Sequence, residues 1–174
     1  MARVLILSGS ARKDGNTALV VERLRLALGG AATVVDLADP PIAPFSYEDR
    51  DREDAFKPVV EAMLAHDRLV FATPVYWYAM SGVTKTFLDR FTDLLGKPEG
   101  RGLATQAMML LANGTDPALP PGFETPFRLT AGYFGMAYEG AAYVAFTRDG
   151  EMAPDESERF HALASWARAE GFRP

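Results

Sequence analysis

The sequence predicts an α/β protein, a doubly wound sandwich whose five-stranded parallel sheet, of order 2-1-3-4-5, carries helices on both faces. Three observations point there. Short aliphatic runs alternate with helical patterns along the chain. The runs are apolar at consecutive positions rather than at every second one, as in strands buried on both faces. No repeat, low-complexity tract or linker breaks the series, so 174 residues with 48% apolar side chains read as a single domain over 1–174.

The elements follow in order. "RVLIL" (3–7) is the first strand. Val20, Leu24, Ala27 and Leu28 then recur at helical spacing until Gly29-Gly30 ends the helix. "TVVDL" (33–37) is a second strand, and the Pro-, Asp- and Arg-rich stretch from Ala38 to Arg52 a long loop. Phe56, Val59, Val60, Met63 and Leu64 mark a second helix, which tolerates Pro58 near its first turn. "RLVFAT" (68–73) is the third strand. Val83, Phe87, Phe91 and Leu94 predict a third helix, stopped by Gly96 and Pro98. "TQAMMLLAN" (105–113) holds the fourth strand. Thr125 and Pro126 predict an N-cap and first helical residue, followed by Phe127, Thr130, Ala131 and Phe134. "AAYVAF" (141–146) is the fifth strand. Asp155 and Glu158 predict a capping box for a last helix with Phe160, Leu163, Ala164 and Ala167.

Composition narrows the chemistry. The absence of cysteine excludes disulfides, thiolate metal sites, iron–sulfur ligation and a thiol nucleophile. Two histidines, His66 and His161, are too few for a His-based metal centre and read as structural or surface residues. A net charge of −5 argues against nucleic acid as a partner. The apolar stretch of "MARVLILSGS" is too short for a secretory signal and no run reaches membrane-spanning length, so a cytoplasmic protein is expected.

In this sheet order, ligands bind at the carboxyl edge, between the first and third strands. The unusual loops should therefore follow those strands, and they do. In "GSARKDGNT" (9–17) a helix entry gathers free backbone N–H groups, Ser10 and Thr17 hydroxyls, the Asn16 amide and the Arg12 guanidinium. Gly9 and Gly15 are expected to take positive φ and let the backbone approach a ligand. The set suits a phosphate, although a capped helix after a tight turn would need only part of it. Neither the nucleotide-triphosphate loop nor the G-x-G-x-x-G fingerprint is present, which favours a small monophosphate. After strand three, "TPVYWYAMSG" (73–82) places Tyr76, Trp77 and Tyr78 near the same crevice. They can stack on a planar ligand, cover the core or fill a subunit interface. "ANGTDP" (112–117) offers Asn113, Gly114 and Thr115 to a heterocycle, or forms a plain Asn-Gly turn. Together these loops fit flavin mononucleotide (FMN).

On "GSARKDGNT" and "TPVYWYAMSGVTKTFLDR" (73–90), the sequence resembles the NADPH-dependent FMN reductase family of flavodoxin-like oxidoreductases, with compatible element order over nearly the whole chain. The resemblance implies that Ser10, Arg12, Asn16 and Thr17 hold the phosphate. It implies that Pro74, Val75, Tyr76, Trp77 and Met80 line the ring, and that Asn113 and Gly114 approach its edge. Relatives with an iron–sulfur cluster carry cysteines before the second helix; "DPPIAPFSYEDRDREDAF" has none. Lys85 and Asp89 read as a surface ion pair, and Arg90 as orienting a loop or a dimer contact. Asp14, Asp36 and Asp39 read as solvated loop or cap residues.

The activity implied is hydride transfer from NADPH or NADH through FMN N5 to a quinone, an azo or nitro compound, or free flavin. No catalytic side chain and no metal are expected, because the cofactor carries the chemistry. The family resemblance also implies a homodimer or tetramer. A flavodoxin-type electron carrier, reduced by a partner protein, is the alternative. The Arg12-containing phosphate loop and the moderate charge count against it. A flavin-free protein keeping the fold stands third.

Overall fold

Five strands run parallel: β1 (Val4–Ser8), β2 (Thr33–Asp36), β3 (Arg68–Tyr76), β5 (Ala107–Gly114) and β6 (Ala137–Ala145). Their spatial order, β2-β1-β3-β5-β6, is the order expected from sequence. A two-residue strand, β4 (Ala79–Met80), lies off this path and pairs antiparallel with the end of β3. The computed structural model describes residues 2–49, 52–147, 149–152, 160 and 162–166.

The central strands β1, β3 and β5 are apolar on both faces because each face is covered. Leu5, Leu7, Leu69, Phe71, Met108 and Leu110 point to one side. There they meet α2 (Phe56–Leu64), α3 (Gly82–Asp89) and α5 (Thr125–Tyr133) through Val59, Met63, Phe87 and Phe127. Val4, Ile6, Val70, Ala72, Leu111 and Val144 point to the other side, against Val20, Val21 and Leu24 of α1 (Asn16–Ala27). Phe160, Leu163 and Ala164 are buried in this second layer. The parallel register sets Ser8 beside Ala72 and Pro74 beside Asn113, which brings three loops to one carboxyl edge.

Several elements differ from the sequence expectation. The third helix is α-helical only to Asp89 and then tightens into a 3-10 helix, Arg90–Leu94, as helix ends often do. A short helix α4 (Pro98–Gly102) and a 3-10 turn, Leu103–Thr105, precede β5. Thr125 is the first helical residue of α5 rather than its cap, and Glu124 precedes it without a side-chain capping bond. β6 begins four residues before Ala141, with Gly140 at φ +101° beside the register shift between Met108 and Leu110. Asp155, Glu158, His161 and Ala167 lie outside the described residues. No helix among the described residues is long and apolar enough to cross a membrane.

Candidate functional site

At the carboxyl edge, an open cleft is lined by Ser10, Arg12, Asn16, Thr17, Pro74, Val75, Tyr76, Asn113 and Gly114. Gly15 and Thr115 complete the wall. Nine of the eleven residues expected from sequence therefore meet in one place. Trp77 and Met80 do not line the cleft. Met80 packs against the apolar layer of α2, α3 and α5.

One wall is the amino end of α1. Gly15 is its N-cap and has no side chain to bond the first-turn N–H groups. Those donors and the positive end of the helix dipole are left for a ligand. The Arg12 N–H donates to Ser10 Oγ, and Ser10 Oγ to the Arg12 carbonyl, both at 3.2 Å, which shapes the turn. The Arg12 side chain is exposed and its Nε donates to Asp14 Oδ1 at 2.9 Å. This contact holds the Asp14 carboxyl below its ordinary pKa. Lys13 pairs with Asp39, whose hydrogen bond and charge raise the lysine's pKa.

The glycines do not act as expected. Gly15 has φ −89°, and Gly9 is not among the positive-φ residues. Gly9 is needed for space instead: a Cβ there would lie 2.0 Å from Thr84 Oγ1. A buried hydroxyl knot fixes it. Gly9 N–H donates to Ala72 O at 2.7 Å, and its carbonyl accepts from Ser81 Oγ and from Thr84 Oγ1, the latter at 3.3 Å. Thr84 Oγ1 also lies within hydrogen-bond distance of Thr73 Oγ1, at 3.0 Å, and the Ser81 N–H donates to the same Thr73 oxygen at 3.2 Å. Ser81 caps α3 by accepting from Thr84 N–H at 3.1 Å. The loop after β1 is thereby fastened to the loop after β3. Sequence reasoning missed Thr73, Ser81 and Thr84; the Ser-x-x-Thr spacing at a helix entry was the available signal.

Across the cleft, Thr17 Oγ1 donates to Asn113 Oδ1 at 2.9 Å, with both side chains buried. This joins α1 to β5 and orients the Asn113 amide. Gly114 is a close approach: an added Cβ would meet Tyr143 Oη at 2.8 Å and Val75 Cβ at 3.2 Å. Beyond Tyr76, the β3–β4 hairpin turns on Trp77 (φ +49°) and Tyr78 (φ +65°), the left-handed backbone that two-residue hairpins require. Trp77 is 93% exposed and Tyr78 70%, so neither ring covers the core.

The remaining motif residues are structural. Lys85 and Asp89 form the expected exposed ion pair. Arg90 is buried and ties the 38–55 loop to the 3-10 helix. Its Nε donates to Asp93 Oδ2 at 2.6 Å, and its Nη1 to Asp54 Oδ2 at 2.6 Å and Ala43 O at 3.0 Å. Its guanidinium also lies 4.7 Å from the centre of the Phe56 ring. Burial opposes its charge, but the two carboxylates outweigh that and raise its pKa. Its burial leaves the loop-orienting role and removes the dimer contact. His66 is structural as expected, bonding Ala62 O through Nδ1 and Thr33 Oγ1 through Nε2. Asp36 Oδ1 caps its own turn by accepting from Ala38 N–H at 2.9 Å.

Residues 2–149 match the model of the NADPH-dependent FMN reductase family. A Bacillus subtilis (strain 168) protein named as an NAD(P)H-dependent FMN-containing oxidoreductase, YwqN, is 30% identical over 171 residues, covering 88% of this chain and 90% of its own. Among solved structures, the Trp repressor binding protein from Bacillus subtilis superposes with a TM-score of 0.73 at 22% identity, covering 97% of this chain and 99% of its own. The general stress protein 14 of Treponema denticola, solved in complex with FMN, superposes with a TM-score of 0.66 at 20% identity, covering 95% and 97%. The doubly wound architecture, the loops it gathers at one edge and the match over most of the chain agree: the protein belongs to the NADPH-dependent FMN reductase family, whose working cofactors are FMN and a nicotinamide nucleotide.

Proposed function

We propose that the chain is a single FMN-binding domain over 1–174, an oxidoreductase that oxidises NAD(P)H and reduces a small acceptor such as a quinone, an azo or nitro compound, or free flavin. The observation that carries this is the meeting of an uncapped helix N-terminus, the Ser10 and Thr17 hydroxyls, a guanidinium and two amides around one cleft.

The phosphate falls to the first-turn N–H groups of α1, with Ser10, Arg12, Asn16 and Thr17. Pro74, Val75 and Tyr76 flank the ring, with Trp77 and Met80 on the same hairpin. Asn113 and Gly114 take its polar edge. FMN, when bound, supplies the two-electron chemistry between the nicotinamide and the acceptor. The protein's part is to bind, to orient and to leave one ring face open. The hydroxyl knot serves this by holding the phosphate loop and the ring loop in a fixed relation. No side chain is assigned proton transfer. The exposed aromatic hairpin suits a homodimer contact that completes the pocket. A cytoplasmic location suits a cysteine-free chain working with nicotinamide nucleotides.

The test is the visible spectrum of the purified protein with added FMN, followed anaerobically by NADPH. Bound-flavin bands that bleach on adding NADPH support the enzyme. Bands that persist until dithionite is added mark an electron carrier instead, and a chain that binds no FMN refutes both.

A further inference from the structure

The loop that enters α1 carries two cations, Arg12 and Lys13, and both are already paired with carboxylates. Arg12 lines the cleft, yet its Nε–H is donated to Asp14 Oδ1 at 2.9 Å. Lys13 is likewise committed to Asp39. The loop's two cations each face a carboxylate, so its formal charge cancels before any ligand arrives. Asp14 also immediately precedes Gly15, the N-cap of α1. An anion at the amino end of that helix therefore has a carboxylate close by in sequence.

We propose that Asp14 competes with the flavin's phosphate for Arg12, so that capturing FMN means exchanging one anion for another on the same guanidinium. The inference rests on the reading of the cleft as an FMN site and adds a determinant of its selectivity. A guanidinium binds phosphate best through two parallel N–H groups, and Nε is one prong of its side-on fork. With Asp14 on that prong, the edge opens to a phosphate only when the carboxylate leaves. Asp14 is an exposed carboxylate, ionised at neutral pH, with its pKa lowered further by the Arg12 contact, and so its charge also opposes an incoming dianion. Both side chains are exposed, 72% for Arg12 and 83% for Asp14, so the exchange needs no movement of the core. Asp14 therefore lowers the preference for FMN over riboflavin, which lacks the phosphate, and shortens the stay of FMN in the cleft.

The experiment titrates FMN and riboflavin into the wild-type chain and into Asp14→Asn, at low and high salt. Asp14→Asn is expected to bind FMN about 3- to 10-fold more tightly at low salt, with riboflavin affinity unchanged. The gain should shrink at high salt and be smaller in an Arg12→Ala background, where only the direct repulsion between the carboxylate and the phosphate is left to relieve. Asp14→Ser should reproduce the gain, because it too removes the carboxylate. A gain in affinity cannot arise from a variant that fails to fold. Unchanged or weaker FMN binding by both variants, or an equal gain for riboflavin, overturns the inference. A wild-type chain that binds neither ligand overturns the FMN reading itself, and the two failures are told apart by that control.

Discussion

Arg12 and Arg90 carry the same side chain to opposite ends. Arg90 is 1% exposed and fully committed: two carboxylates, a backbone carbonyl and an aromatic ring surround it. Arg12 is exposed at the mouth of a cleft, with one carboxylate on one nitrogen. A charge buried with its partners specifies where the 38–55 loop sits, and little of it is left for a ligand. A charge on a solvated loop contributes little to the fold and can change partners. The difference places Arg90 in the architecture and, under the proposed FMN reading, gives Arg12 to the ligand, although both sit in motif-like stretches.

That assignment can be broken by substitution. Arg90→Ala leaves Asp93 buried and Asp54 half-buried beside a vacated cation site, and is expected to lower unfolding free energy by about 3–5 kcal/mol in urea denaturation. A loss below about 1 kcal/mol would place Arg90 on the same footing as a surface pair. Arg12→Ala should do the reverse. It is expected to weaken FMN binding by about 1.5–3 kcal/mol in a titration, with the urea midpoint unmoved. An unchanged FMN affinity would move Arg12 to the surface and end the contrast.

A smaller effect sharpens the buried side of the comparison. Burial works against ionisation of Asp54, but N–H bonds from Phe56 and Ala43 and its contacts with Arg90 win, and its pKa lies below the ordinary carboxylate value. A depressed carboxylate contributes stability that is present above its unfolded pKa, about 3.9, and is lost as pH falls through the folded value. Asp54→Asn should therefore be less stable at neutral pH yet lose less further stability between pH 5 and about 3. Thermal melts across that range that stay parallel for the two proteins would show that Asp54 has no part in the acid response.

Much of this was legible because it is local. The two-faced apolar runs around Leu5, Val70 and Leu110 gave away a covered parallel sheet. Sheet order then told which loops share an edge, so Ser10, Tyr76 and Asn113 could be grouped before any distance was known. What stayed hidden is contact between segments far apart in sequence. Gly9 looks like a residue chosen for φ, yet the reason for it is Thr84, seventy-five positions on. Arg90 finds Asp54 thirty-six residues earlier, near the end of a loop with no periodicity to read. The β3–β4 hairpin was also invisible, because Trp77 and Tyr78 occupy turn positions where Asn-Gly or Asp-Gly is the recognised signal. The 3-10 turn at Arg90 escaped for another reason: Phe87, Phe91 and Leu94 keep a helical spacing across it.

The central claim is that FMN sits at the carboxyl edge with its phosphate on the amino end of α1. A crystal structure of the chain with FMN tests it most directly. The account predicts phosphate density within hydrogen-bond reach of the Asn16 and Thr17 N–H groups and of Arg12, with the ring against Val75 and Tyr76. FMN found instead in the separate cleft lined by Phe56, Lys57, Val60 and Lys97 would contradict it.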